Sequence, residues 1–210
     1  MESRTPLLPS HLSLLTARIS RLAAAATTAA LLSCASGAVT PGKPPAPFTG
    51  DPTKTYLLSQ VYLLQVSDPP VPDTTVRLRR GVPRVILLRH PAPDGLTFAE
   101  LEIPATAFDS TGADSVDVAI HVRPGLYGLD LTTTAPLKAA TLTFKYAVHF
   151  QSPADARTAM GSDVALERVL AIGKLGAGET IVFQRSQRPA ADNLSTALAA
   201  AGSYVVGAPK

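Results

Sequence analysis

Few side chains in this 210-residue chain are of kinds that perform chemistry, and those few stand far apart. Zinc-type centres need histidine or cysteine at close spacing. Beyond the single Cys34, the histidines His90, His121 and His149 are widely separated. His121 and His149 each fall on the polar side of an alternating run, so they meet only if those runs become neighbouring strands. The stretch Asp109-Ser110-Thr111-Gly112-Ala113-Asp114, with Asp117 after it, offers carboxylate oxygens to calcium. Oxygen does not recur there at every second position, however, and the same residues make ordinary turns. Asp155, Glu167 and Glu179 are isolated carboxylates, which carry no acid–base argument without a shared cleft. No HExxH, GxSxG, P-loop or GxGxxG pattern occurs. The expectation is a protein with no catalytic residue, no metal and no cofactor. An exported hydrolase stays in view only if the fold joins a histidine, a carboxylate and a serine in one cleft.

Cys34 stands at a seam. Residues 1–21 carry Arg4, His11, Arg18 and Arg21, and residues 22–33, LAAAATTAALLS, carry no charge. Twelve such residues span roughly 18 Å as a helix, too short for a hydrocarbon core of about 30 Å but suited to a signal-peptide apolar region. The run ends in Leu31-Leu32-Ser33-Cys34-Ala35. This resembles the bacterial lipobox, with a branched apolar residue at −3, a small residue at −1 and cysteine at +1. The resemblance implies diacylglyceryl transfer to the Cys34 thiolate, cleavage between Ser33 and Cys34, and a lipidated amino terminus. Ala35 after the cysteine implies sorting to the outer membrane of a two-membrane cell. An ordinary signal peptide cut after Ala38 is the alternative. A lone cysteine makes no internal disulfide, which is the usual employment of cysteine in exported proteins.

Residues 34–54 are rich in proline and glycine with almost no apolar pattern, and read as a semi-extended tether. The expected organisation is a lipoprotein signal peptide over 1–33, the lipidated cysteine and tether over 34–54, and a domain over 55–210.

Hydrophobic residues make up 46% of the chain and charged ones 17%, too apolar for a disordered protein. Nineteen prolines and fourteen glycines disfavour long helices. The net charge of +3 owes much to the leader's arginines. Nucleic-acid binding needs a concentrated basic footprint. Arg77, Arg79, Arg80, Arg84 and Arg89 are instead spread along expected strands and read as a solvated sheet face.

The domain's dominant period is two. Val116, Val118, Ile120 and Val122 alternate with polar or small neighbours, as do Leu142, Phe144, Tyr146, Val148 and Phe150. Further strands are expected over Thr55–Val66, Thr74–Arg80, Arg84–Arg89, Leu96–Ile103, Tyr127–Leu131, Arg168–Leu175, Thr180–Arg185 and Ser203–Val206. The alternation shifts near Glu100, which fits a bulge. Gly176-Ala177-Gly178 reads as a tight hairpin, and Gln151–Val164 as the one helical turn or long loop. Pro189 to Asn193 reads as a turn. Many short strands at this spacing predict an all-β fold, a single antiparallel Ig-like sandwich.

Leu101–Phe108 (LEIPATAF), the VDVAIHV strand, and PGLYGLDLTTTAPLKAATLTFKY together resemble the core of ZU5-type domains, over about 96–150. Ile103, Pro104, Ala105 and Ala107 match an "IPAGA" turn, with Thr106 in place of the usual glycine. Pro124, Gly125, Gly128 and Leu129 match a glycine-centred segment, and Pro136, Thr141, Leu142, Thr143 and Tyr146 a "P-x-TLT-x-x-Y" strand. The resemblance implies a sandwich used for binding or structure. Some ZU5-containing proteins cleave themselves at His-Phe-Ser, but Gln151 between Phe150 and Ser152 removes that register here.

The functional expectation is a lipid-anchored lipoprotein of the bacterial cell envelope. It would face the periplasm or the exterior, with a non-catalytic binding or structural sandwich. Its partners would be the membrane, through Cys34, and an envelope protein or glycan. A carbohydrate- or peptidoglycan-binding module is the alternative, and it would show itself by a solvent-facing row of tyrosines among Tyr56, Tyr62, Tyr127, Tyr146 and Tyr204.

Overall fold

The computed structural model describes residues 49–67 and 69–210; Ser33, Cys34, the signal segment and most of the tether lie outside the described residues. Alternation produces strands as expected, and antiparallel pairing arranges them in two main sheets. In chain order the strands are β1 (Thr55–Leu57), β2 (Val61–Leu63), β3 (Gln65–Val66), β4 (Thr74–Arg79), β5 (Arg84–Arg89), β6 (Thr97–Ile103), β7 (Ser115–Val122) and β8 (Gly128–Thr133). They continue as β9 (Ala140–Lys145), β10 (Phe150–Gln151), β11 (Ala171–Gly176), β12 (Thr180–Phe183), β13 (Ser186–Gln187), β14 (Asn193–Leu198) and β15 (Gly202–Pro209).

The larger sheet runs β1-β12-β11-β15-β8-β7-β4, with β2 also paired to β15; the smaller runs β13-β14-β9-β6-β5. One continuous core draws on both sheets, including Val118, Ile120, Leu129, Leu131 and Val206 from the first and Leu101, Leu142, Phe144 and Leu194 from the second. Phe98 stacks on Tyr127 across the gap at 5.1 Å between ring centres and meets Phe144 edge-on. This is an all-β antiparallel sandwich.

A second, smaller cluster lies on the other face of the larger sheet: Val61, Ala171, Ile181, Phe183 and Val205, with Tyr56, Leu58, Leu63 and Leu175 packed on it. Close approach is possible there because glycine stands where the backbones crowd. A Cβ on Gly207 would sit 2.6 Å from the Tyr62 carbonyl oxygen.

Several elements depart from the sequence reading. Thr55–Val66 is three short strands, because a 3-10 turn at Leu58–Gln60 interrupts it and Gln60 accepts from the Leu57 N–H at 3.0 Å. The Leu142–Phe150 run does not continue as one strand: β9 ends at Lys145, and Phe150 belongs to the separate β10. His149 adopts φ +66°, which reverses the chain and leaves Val148 exposed. The bulge lies earlier than Glu100: Leu88 pairs Ala99 and Arg89 pairs Thr97, so Phe98 is the extra residue and packs inward beside Ala99. Arg168–Leu170 is not strand, since their N–H groups donate back to Val164, Leu166 and Glu167. Gln151–Val164 contains α1 (Ala154–Met160) and the start of α2 (Asp163–Glu167), which runs past the expected end; Gly161 at φ +76° parts the two. Ser162 caps α2 by accepting from Ala165 N–H at 3.2 Å. The expected Gly176–Gly178 hairpin is present, closed by Gly176 opposite Thr180. Contacts with the sandwich are present ahead of Thr55: the Thr49 carbonyl accepts from Ser186 N–H, and a Cβ on Gly50 would collide with Gln184.

Candidate functional site

Four chemistry-bearing residues, Ser67, His90, Asp94 and His149, come together in one place that spacing did not announce. Pairing of β3 with β10, Val66 opposite Phe150 and Gln65 opposite Gln151, carries Ser67 to the turn that holds His149. The loop after β5 brings His90 and Asp94 to the same turn, folded on itself by a His90 N–H bond to Leu96. His149 Nε2 lies 2.6 Å from Asp94 Oδ2, and its Nδ1 lies 3.4 Å from Ser67 Oγ. The His90 ring covers the His149 ring at 4.4 Å and meets Phe98 edge-on. His121, which alternation offered as a partner, binds Asp73 instead, Nδ1 to Oδ2 at 2.9 Å.

Electrostatics follows from burial and these bonds. The hydrogen bond from His149 holds the Asp94 carboxyl below the ordinary carboxylate range. Burial, the largest influence, pushes the His90 imidazole below its usual value, and the neighbouring His149 adds to the push. Because a carboxylate only accepts, Nε2 of His149 is the donor to Asp94, and Nδ1 is the ring nitrogen on the Ser67 side. Nucleophile, base and orienting carboxylate are therefore in order along one chain of contacts. Ser67 is engaged otherwise, however: its N–H donates to the His149 carbonyl at 2.7 Å, and its hydroxyl reaches the same oxygen at 3.3 Å. The arrangement closes one end of the sandwich as a clasp between three loops.

The Asp109–Asp114 loop already contains a cation. Arg80 donates to the carbonyls of Asp109 and Ala113, Lys138 pairs with the Asp109 carboxylate, and Arg77 holds Asp117 through two bonds of 2.7 and 3.0 Å. Guanidinium thus takes up two of the carbonyl oxygens of this loop. Asp155 pairs with Lys210, Glu167 lies beside Arg188, and Glu179 sits in the β11–β12 hairpin, so no common cleft joins them. Ser152 is buried without a hydrogen-bond partner.

The second candidate is a surface. The outward row of the smaller sheet is polar across β6, β9 and β14: Glu100 pairs with Lys145 at 3.3 Å, and Thr143 donates to Ser195 at 3.0 Å. Among the described residues of this sheet, only the marginal strand β5 turns large apolar side chains outward, Val85 at 53% exposure and Leu87 at 41%. Arg84 and Arg89 bracket them. A groove of about 630 Å³ continues from this margin, lined by Pro83, Arg84, Val85, Glu102, Ile103, Pro104 and Thr141. The sequence showed RVILLR as a strand, but only the topology shows that it has a free side.

Comparison with known proteins adds no relationship: the chain matches no family model, no curated protein and no solved structure.

Proposed function

We propose that this chain is a lipid-anchored lipoprotein of the bacterial cell envelope whose single sandwich is a non-catalytic binding module. The anchor reading rests on one sequence observation, the Leu31-Leu32-Ser33-Cys34 motif placed between an uncharged apolar run and a proline-rich segment. Cys34 would carry the lipid, residues beyond it would act as spacer, and the sandwich would work at the membrane surface, in the outer membrane of a two-membrane cell. Among the described residues no helix is long and apolar enough to cross a membrane. The binding reading rests on the apolar margin of β5. A ZU5-like kinship of residues 96–150 accords with the antiparallel architecture and belongs to this proposal.

A glycan-binding face gains no support from the tyrosines, since Tyr62, Tyr127, Tyr146 and Tyr204 are all buried. Mass spectrometry of the mature amino terminus tests the anchor: a diacylglyceryl-modified Cys34 is expected, and Cys34→Ala should release the protein from membranes. An unmodified terminus in protein from its native host overturns it.

The contacts Ser67–His149–Asp94 favour a second reading, an exported hydrolase. A fluorophosphonate probe separates the two. The binding-module reading expects no labelling of Ser67, and labelling lost in His149→Ala would establish the hydrolase instead.

A further inference from the structure

We propose that β5 and the groove beside it receive an extended segment of a partner protein. The segment adds as a new strand to the smaller sheet, with apolar residues at alternate positions and acidic residues at its ends. This deepens the binding-module reading and rests on it.

A marginal strand carries a row of backbone groups with no neighbour on one side, and such rows recruit further strands. The two long marginal strands at this side of the sandwich are treated differently. On β4, Thr75, Arg77 and Arg79 face solvent, and Arg77 is locked to Asp117 on the adjacent strand. That margin is charged and occupied. On β5, Val85 and Leu87 stand outward and exposed, in a sheet whose other outward residues among those described are polar or charged apart from the small Ala197. An incoming strand sets its own side chains beside Val85 and Leu87 on that face, at the roughly 4.8 Å spacing of neighbouring strands. The groove past Val85 then receives the next outward side chain, against Ile103 and Pro104.

Charge selects among occupants. A second copy pairing antiparallel through the same strand, centred on Ile86, sets Val85 opposite Leu87 and Arg84 opposite Leu88, and brings each copy's Arg89 within one residue of the other's Arg84 at both ends. Four positive charges brought that close, with no acidic group supplied by the copy's own strand, disfavour it. The nearest carboxylates do not reverse this sign at the margin: Glu100 is paired with Lys145, and Glu102 stands one strand inward, across from Val85. Acidic ends on the entering segment satisfy Arg84 and Arg89, and basic ends do not.

The test uses the full chain in detergent and three synthetic peptides, EVTVTVE, KVTVTVK and EVPVPVE, followed by fluorescence anisotropy and by amide chemical shifts. Saturable binding of the acidic peptide is expected, with shifts concentrated on β5 and its partner β6. At least tenfold weaker binding is expected for the basic peptide, and for the proline peptide, which lacks the N–H donors. Arg84→Glu with Arg89→Glu should reverse the charge preference, while Leu87→Lys weakens both; unchanged thermal unfolding verifies that the variants fold. No saturable binding at millimolar peptide overturns the inference, as does equal affinity for the basic peptide. So does a concentration-dependent dimer in sedimentation that Val85→Asp dissolves, because the copy is then the occupant. Acidic-peptide binding that shifts residues away from β5 sinks this inference alone and leaves the binding-module reading standing.

Discussion

The two sheets share one core yet treat their outer faces in opposite ways. The larger sheet carries a second apolar layer, built on Ile181, Phe183 and Val205 and roofed by Tyr56, Leu58 and Leu63 as the chain crosses from β1 to β2. The smaller sheet has no such roof among the described residues. Its outer face is stitched by Thr143–Ser195 and Glu100–Lys145 and carries large apolar side chains only at Val85 and Leu87. A strand buried on both faces reads as a continuous apolar run, and one wet on one face reads as alternation. Tyr204-Val205-Val206-Gly207-Ala208 is of the first kind and Ala140–Lys145 of the second. The layer used for cohesion and the layer left for contact are thus distinguishable by how many faces each strand hides.

Substitutions can break this contrast, and the covered face should yield most. Phe183→Ala removes a fully buried ring from the smaller cluster and should cost about 3–5 kcal/mol in urea unfolding. Gly207→Val drives a branched side chain against the Tyr62 carbonyl and should cost about 2–3 kcal/mol, read in the same way. At the clasp, Ser67→Ala should cost about 1 kcal/mol, since it removes the hydroxyl bond and keeps the backbone bond. Leu87→Thr on the bare face should change stability by less than about 0.5 kcal/mol while still weakening acidic-peptide binding.

Acid sharpens the same division. The His90 imidazole titrates lower in the folded protein than its usual 6.5, so below about pH 6.5 the unfolded chain takes up a proton that the folded one refuses. Stability should therefore fall as pH drops through that value. A second loss comes as pH falls through the depressed folded value of Asp94, below the ordinary 3.8. His90→Gln should flatten the first slope and leave the second, as followed by unfolding midpoints at successive pH values.

How much of this the sequence disclosed depended on whether a signal was local. Val116–Val122 declared its buried face because each inward residue is branched and each outward one polar or small, and the strand formed as read. Asn193–Leu198 was missed: its inward residues are Leu194, Thr196 and Leu198, and a buried threonine bonded to the Arg185 carbonyl looks like loop chemistry in a string of letters. The clasp was illegible for a different reason. Ser67, Asp94 and His149 meet only because a two-residue ladder joins β3 to β10, and ladders that short leave no periodic trace. The open margin of β5 is a property of sheet order, which no window of sequence contains.

Strand β15 is made late and seated centrally. Until residues 202–209 arrive, the β12–β11 pair and the β8–β7–β4 group have no partner in common, and the larger sheet exists as two unjoined halves. Joining the larger sheet therefore depends on contacts between segments far apart in sequence, which form late and slowly.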